Sequence, residues 1–143
     1  MYSMYPAKLP RSSAADGPRV PPAGDRETIL LVEDEPAVRQ LFAQALMRAG
    51  YQVHEARNGE EALKVFDQHE DTIDLLLTDL RMPYMGGAEL ARQLKARRKT
   101  LKLLCVSGYP AGETEMTSDF LAKPFSRDAL LAKVREVLDR PQA

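Results

Sequence analysis

Short apolar segments alternate with amphipathic segments along most of this 143-residue chain, and this alternation limits the fold more than any other feature. The first apolar segment, 29–32, is continuous and β-branched, which is typical of a strand buried on both faces of a parallel sheet. Strand-like segments recur along the chain, so we predict five strands, at 29–32, 51–56, 73–78, 101–106 and 120–122.

The segments between these strands carry the spacing of helices. After the first strand, Pro36 suits a first helical turn, and Gly50 marks the expected end of the helix. Apolar residues in between recur at helical spacing and are predicted to face inward: Val38, Leu41, Phe42, Ala45, Leu46 and Ala49. Similar patterns predict helices that begin near Asn58, include 90–94, and begin at Ser126 or Asp128.

Strand–helix alternation of this kind predicts an α/β fold with a parallel sheet and helices on both faces. For five such units the common strand order is 2-1-3-4-5. The fourth connection is short, because only 111–119 remain once 108–110 form a turn and 120–122 form the fifth strand. Those residues lack an aliphatic stripe, so we predict that the helix between the fourth and fifth strands is shortened or missing.

The N-terminal region differs from the rest of the chain. Five of the ten prolines lie before residue 28, and no strand or helix periodicity is visible there. We interpret residues 1–27 as a flexible, Pro-rich tail or linker, 28–140 as one folded domain, and 141–143 as a short C-terminal tail.

Composition excludes several classes of protein. A net charge of −1 gives no electrostatic attraction to nucleic acid, and the apolar segments are too short to span a membrane. The single cysteine, Cys105, excludes a disulfide framework and a Cys-rich zinc site. No secretory signal is recognisable, so we expect a cytoplasmic protein.

Polar residues follow four of the predicted strands at their carboxyl ends, where parallel sheets carry their functional sites. Glu33 and Asp34 follow the first strand, Asp79 the third, Ser107 the fourth and Lys123 the fifth. Clustered carboxylates repel one another, and Mg²⁺ would relieve this repulsion. Beside such a metal a carboxylate can attack phosphorus, and Asp79 is the natural nucleophile. Lys123 would offset phosphoryl charge, and Ser107 would donate a hydrogen bond.

Four motifs lie at these strand ends in order: LLVEDEP (30–36), LLLTDLRMPYMGG (75–87), VSGY (106–109) and FLAKPF (120–125). Together they make the stretch 29–138 resemble the response-regulator receiver domain of bacterial two-component signalling. The resemblance implies a flavodoxin-like, doubly wound sheet. It also implies a Mg²⁺ cofactor and a histidine kinase or histidine phosphotransfer protein as partner.

The resemblance further implies a role for each motif residue. Asp79 resembles the phospho-acceptor, Asp34 a direct Mg²⁺ ligand, and Glu33 an acidic residue that often binds the metal through water. Arg81 would supply a backbone carbonyl to the metal, and Asp79 would be a further ligand.

Three more positions match the family. Ser107 resembles the switch hydroxyl, and Phe120 resembles the rotating switch aromatic. Lys123 resembles the lysine that the family carries at this site. In the family the bond between this lysine and the following proline, here Pro124, is usually cis.

The function we expect is therefore a phosphorylation-dependent switch of protein contacts, in a monomer or weak dimer. It is not an enzyme beyond catalysing its own phosphorylation and dephosphorylation. One alternative is a pseudo-receiver that binds partners without phosphorylation, and another is a fragment of a hybrid histidine kinase. A nucleotide-binding enzyme is disfavoured because neither a P-loop nor a GxGxxG motif is present.

Other conspicuous residues have structural interpretations. Neither His54 nor His69 has a partner at metal-ligand spacing, and Cys105 lies within an apolar strand. The basic segment 95–99 is interpreted as a solvated helix end, with a contact for an acidic partner as the alternative.

Deletion of 1–26 should leave the melting temperature within about 2 °C of the full chain, because this region has too little apolar content to join a core. Thermal unfolding followed by circular dichroism measures this. A drop of many degrees would show that the region packs on the domain.

Overall fold

Five parallel strands form one sheet in the computed structural model, which describes residues 27–108 and 119–141. Their order is β2-β1-β3-β4-β5, which confirms the predicted topology. The strands are β1 (Thr28–Val32), β2 (Gln52–Ala56), β3 (Leu75–Asp79), β4 (Lys102–Ser107) and β5 (Asp119–Ala122).

Four helices occur in the described residues: α1 (Pro36–Arg48), α2 (Gly59–His69), α3 (Gly87–Arg97) and α4 (Arg127–Leu138). Helices α1 and α4 pack on one face of the sheet, and α2 and α3 pack on the other. None of the helices in 27–108 and 119–141 is long and apolar enough to cross a membrane. The predicted shortened or missing helix falls within 111–119. Residues 111–118 lie outside the described residues and Asp119 begins β5, so the helix stays a prediction.

The central strands are apolar on both sides because both of their faces are covered. In β1, Ile29 and Leu31 face α1 and α4, whereas Leu30 and Val32 face α2 and α3. All four are almost completely buried. The edge strand β2 is more polar and less buried than the central strands. Because the strands run parallel, their polar carboxyl ends lie at one edge of the sheet.

One predicted core position is wrong. Leu41 of α1 is 65% exposed, while Ala43 and Leu46 are buried against the sheet. At about 100° per residue, Leu41 lies roughly 200° around the helix from Ala43. It lines a groove between α1 and α4 together with Phe125 instead of entering the core.

Side chains cap two helices at starts that the sequence predicted. The Asn58 side chain accepts a hydrogen bond from the amide of Glu61 at 2.7 Å at the start of α2. Ser126 accepts one from the amide of Ala129 at 3.0 Å, so it, not Asp128, caps α4. Such caps satisfy amides that lack helical partners.

Glu27, the residue before β1, forms an ion pair with α4. Arg135 of α4 donates to both carboxylate oxygens of Glu27, at 3.0 and 2.8 Å, and to the Tyr51 hydroxyl at 3.1 Å. A bidentate guanidinium–carboxylate pair is geometrically specific. It fixes the point at which the preceding residues leave the domain.

The two histidines contact each other. The rings of His54 on β2 and His69 on α2 stack with centroids 4.0 Å apart. Burial, and then the charge of His69, lower the pKa of His54. The sequence did not predict this contact, because the two histidines lie far apart in the sequence on different elements.

The basic end of α3 is paired within its own domain. Arg97 lies 2.6 Å from Asp67 and 3.0 Å from Glu70, and Lys95 donates to the Leu101 carbonyl at 2.7 Å. These contacts favour the solvated helix end over an acidic-partner contact.

Gly87 is required where α3 begins. A Cβ on Gly87 would lie 2.3 Å from the backbone oxygen of Asp79, whereas a Cβ on Gly108 would meet nothing within 4 Å. We predict that Gly87→Ala lowers the free energy of unfolding by about 1–3 kcal/mol, as overpacking typically does.

Urea unfolding of Gly87→Ala and of the matched control Gly108→Ala measures this difference. Equal stability of the two variants would contradict the close approach of α3 to the end of β3.

Candidate functional site

Three carboxylates converge at the carboxyl edge of the sheet, as the strand ends predicted. Glu33 and Asp34 follow β1, Asp79 ends β3, and each offers an oxygen within 4.8 Å of those of the others. β1 and β3 are hydrogen-bonded neighbours, which explains why residues far apart in sequence meet here.

Asp79 lies at the centre of this edge and is only 5% exposed. Its Oδ1 accepts a hydrogen bond from the Arg81 amide at 3.0 Å. Its Oδ2 accepts one from Lys123 Nζ, also at 3.0 Å. With each oxygen engaged by a different donor, the carboxylate is held in one orientation.

Lys123 reaches the site from the end of β5. Its backbone amide donates to the Ser107 carbonyl at 2.8 Å, which continues the pairing of β4 and β5. Its Nζ also lies 3.6 Å from Glu33 Oε1. Burial alone would lower the pKa of Lys123, but the hydrogen bonds and charges of Asp79 and Glu33 outweigh it and raise the pKa. Lys123 is therefore a cation at neutral pH, and its bond to Pro124 is cis as the resemblance predicted.

Glu33 is the most buried of the three acids at 2% exposure. Its Oε2 accepts a hydrogen bond from the Glu35 amide at 3.1 Å, but its buried Oε1 has no hydrogen-bond partner among the described groups. Burial raises the pKa of Glu33 to about 7; the charge of Asp79 adds to this, while the Glu35 amide and Lys123 oppose it.

This donor set fits a hard divalent cation. Glu33 contributes a buried oxygen that has no hydrogen-bond partner, Asp34 is exposed, and Asp79 completes a group of oxygens of the kind that Mg²⁺ prefers. If all three are ionised, the single charge of Lys123 leaves two negative charges uncompensated. A divalent ion would neutralise them.

Ser107 and Phe120 lie on the two strands beside this centre. Ser107 is fully buried and is one residue beyond Val106, the register partner of Asp79. Phe120 on β5 is half-buried and pairs in register with Cys105. The structure thus places the predicted switch residues on adjacent strands.

Sequence reasoning missed Arg39. Its Nη1 donates to the Glu33 carbonyl at 2.8 Å and its Nε to Glu55 at 3.3 Å, so it joins the end of β1 to β2. In a single sequence, nothing distinguishes this arginine from others on a helix surface.

The loop between β3 and α3 contains a γ-turn. Tyr84 has φ 70°, and the amide of Met85 donates to the Pro83 carbonyl at 2.8 Å. This backbone region costs an L-residue about 1–2 kcal/mol. A turn of this kind is rare and strained. The sequence predicted a loop here without predicting this conformation.

Comparisons with known proteins identify the family of the chain. The response regulator receiver domain family model matches residues 29–135. The chain is 40% identical over 119 residues to the sensor kinase CckA of Brucella abortus (strain 2308), a match covering 79% of this chain and 13% of the kinase. It also matches three transcriptional or response regulators and spans about half the length of each.

Two similar crystal structures are receivers or response regulators. The receiver domain from the hybrid histidine kinase CckA has a TM-score of 0.70 and 38% identity, covering 78% of this chain and 99% of that one. The response regulator TrrA from Thermotoga maritima, in complex with Mg²⁺-BeF, has a TM-score of 0.70 and 32% identity, covering 78% and 98%. On its fold, its site and these matches, the chain belongs to the response regulator receiver domain family of two-component systems.

Proposed function

We propose that Asp79 accepts a phosphoryl group from a phosphohistidine on a histidine kinase or phosphotransfer protein. The observation that carries the proposal is the setting of this carboxylate. It is nearly buried, is fixed by the Arg81 amide and Lys123, and lies beside Glu33 and Asp34. The similarity to a sensor kinase supports a phosphohistidine donor.

In the transfer, a carboxylate oxygen of Asp79 forms a bond to phosphorus as the phosphorus–nitrogen bond to the donor imidazole breaks. Glu33, Asp34, Asp79 and the Arg81 carbonyl would hold Mg²⁺, which when bound offsets negative charge on the phosphoryl oxygens. Lys123 Nζ, already within hydrogen-bond distance of Asp79, supplies a second positive charge to those oxygens.

Phosphorylation would then bias a two-state element on the neighbouring strands. The buried Ser107 hydroxyl would donate to a phosphoryl oxygen, and Phe120 would change its position on β5. The protein surface around β4, β5 and α4 would change with them and alter protein contacts. A pseudo-receiver is disfavoured because Asp34, Asp79 and Lys123 are all present.

We predict that Asp79→Asn abolishes labelling by radioactive acetyl phosphate with Mg²⁺, because the amide keeps the shape but is not a nucleophile. Autoradiography and intact mass measure incorporation. The matched control Asp71→Asn alters an exposed aspartate outside the site and should label like the wild type. Equal labelling of Asp79→Asn would refute the assignment.

Loss of one site carboxylate should weaken metal binding. We predict that Glu33→Gln lowers the affinity for Mg²⁺ roughly tenfold or more, and that EDTA blocks labelling of the wild type. The rise in melting temperature on adding Mg²⁺ reports binding without any phosphoryl transfer.

Without metal, and at a pH above the Glu33 pKa of about 7, the same substitution should raise the melting temperature, because it then removes a buried charge beside Asp79. The control is Glu35→Gln, an exposed acid two residues away. A wild-type response to Mg²⁺ in Glu33→Gln would exclude Glu33 from the metal site.

A further inference from the structure

We propose that Tyr84 is a contact and specificity residue for the protein that donates the phosphoryl group. This inference rests on the proposed function of Asp79 and extends it to a residue outside the acidic cluster. The structural basis is a fully exposed aromatic side chain on a strained backbone, carried by the loop that leaves the acceptor residue.

Residues on both sides of Tyr84 in this loop are anchored on the domain. Met82 and Met85 pack against the core between the sheet and α2 and α3. Met85 also sits tightly on Gly59, where an added Cβ would lie 2.9 Å from the Met85 Cβ. The turn at Tyr84 is therefore set by its neighbours, and its ring is directed away from the core.

The fold does not need a tyrosine at this position. Gly or Asn would adopt the positive φ of 70° with less strain. Among the described residues Tyr84 is the most exposed of the large hydrophobic side chains, ahead of Leu41 and Met47. The ring adds nothing to core packing while its backbone is strained, which points to a contact outside the domain.

The position of the loop identifies the class of partner. Asp79 is 5% exposed, so a donor histidine reaches it only if the donor protein presses against the loops around the acidic edge. The loop with Tyr84 begins next to Asp79: the Arg81 amide binds Asp79 Oδ1, and the Gly87 amide binds the Leu80 carbonyl. A protein docked over Asp79 would therefore meet this loop, whereas acetyl phosphate would not require it.

Tyrosine suits such a contact because its ring buries a large area at a low cost in conformational entropy. Tyrosine is also enriched among residues that dominate the energy of interfaces. The relevant variants are Tyr84→Gly, which removes the ring and relaxes the turn, and Tyr84→Phe, which keeps the ring. Met47→Ala is the control, since Met47 is exposed near the opposite end of α1.

The experiment uses the full-length chain and a panel of histidine kinases from the source organism, each autophosphorylated with radioactive ATP. The kinase that labels the wild type fastest serves as donor. We expect Tyr84→Gly to lower the transfer rate at sub-saturating donor about tenfold or more, through a higher KM. We expect Tyr84→Phe and Met47→Ala to stay within about threefold of the wild type.

Labelling by acetyl phosphate provides the independent readout. It should stay within about twofold of the wild type in every variant, and the melting temperature of Tyr84→Gly should equal or exceed that of the wild type. Unchanged kinase transfer in Tyr84→Gly would overturn the inference, as would a panel in which acetyl phosphate but no kinase labels the wild type. Failure of acetyl phosphate to label even the wild type would instead refute the proposed function of Asp79.

Discussion

The site depends on the electrostatic balance between three neighbouring carboxylates and the ammonium group of Lys123, at the carboxyl edge of an apolar sheet. Lys123 Nζ lies 3.0 Å from Asp79 and 3.6 Å from Glu33, and its charge reduces a repulsion that would otherwise oppose folding. When all three acids are ionised, the single charge of Lys123 does not compensate them. The ionised cluster then carries an excess of negative charge, which suits the binding of a divalent cation.

The rest of the fold holds these charges in place. β1 and β3 are central, buried on both faces, and hydrogen-bonded to each other, so their ends cannot separate without exposing the core. Arg39 joins the end of β1 to β2, and the Lys123 amide joins the end of β4 to the residue after β5. The apolar core thus sets the distances among the polar groups.

Much of this could be predicted because short-range patterns report it. Apolar segments, helical stripes and the polar residues after each strand were sufficient to place Glu33, Asp34, Asp79 and Lys123 at one edge. What escaped prediction depends on three-dimensional neighbours. The exposure of Leu41 follows from the rotation of α1 on the sheet, and the pairing of His54 with His69 follows from the packing of α2 beside β2. The γ-turn at Tyr84 is imposed by the packing of Met82 and Met85 on either side of it.

The pair between Glu27 and Arg135 has a mechanical consequence for the residues that precede the domain. A pull on the chain before Glu27 is borne first by the bidentate ion pair, and through Arg135 by α4 and the Tyr51 hydroxyl. After this ion pair, β1 also opposes the pull. Its hydrogen bonds to β2 and β3 run across the strand, so a force along the strand loads them together in shear. A force that reaches Glu27 is therefore transmitted both to α4, through Arg135, and to the sheet, through β1.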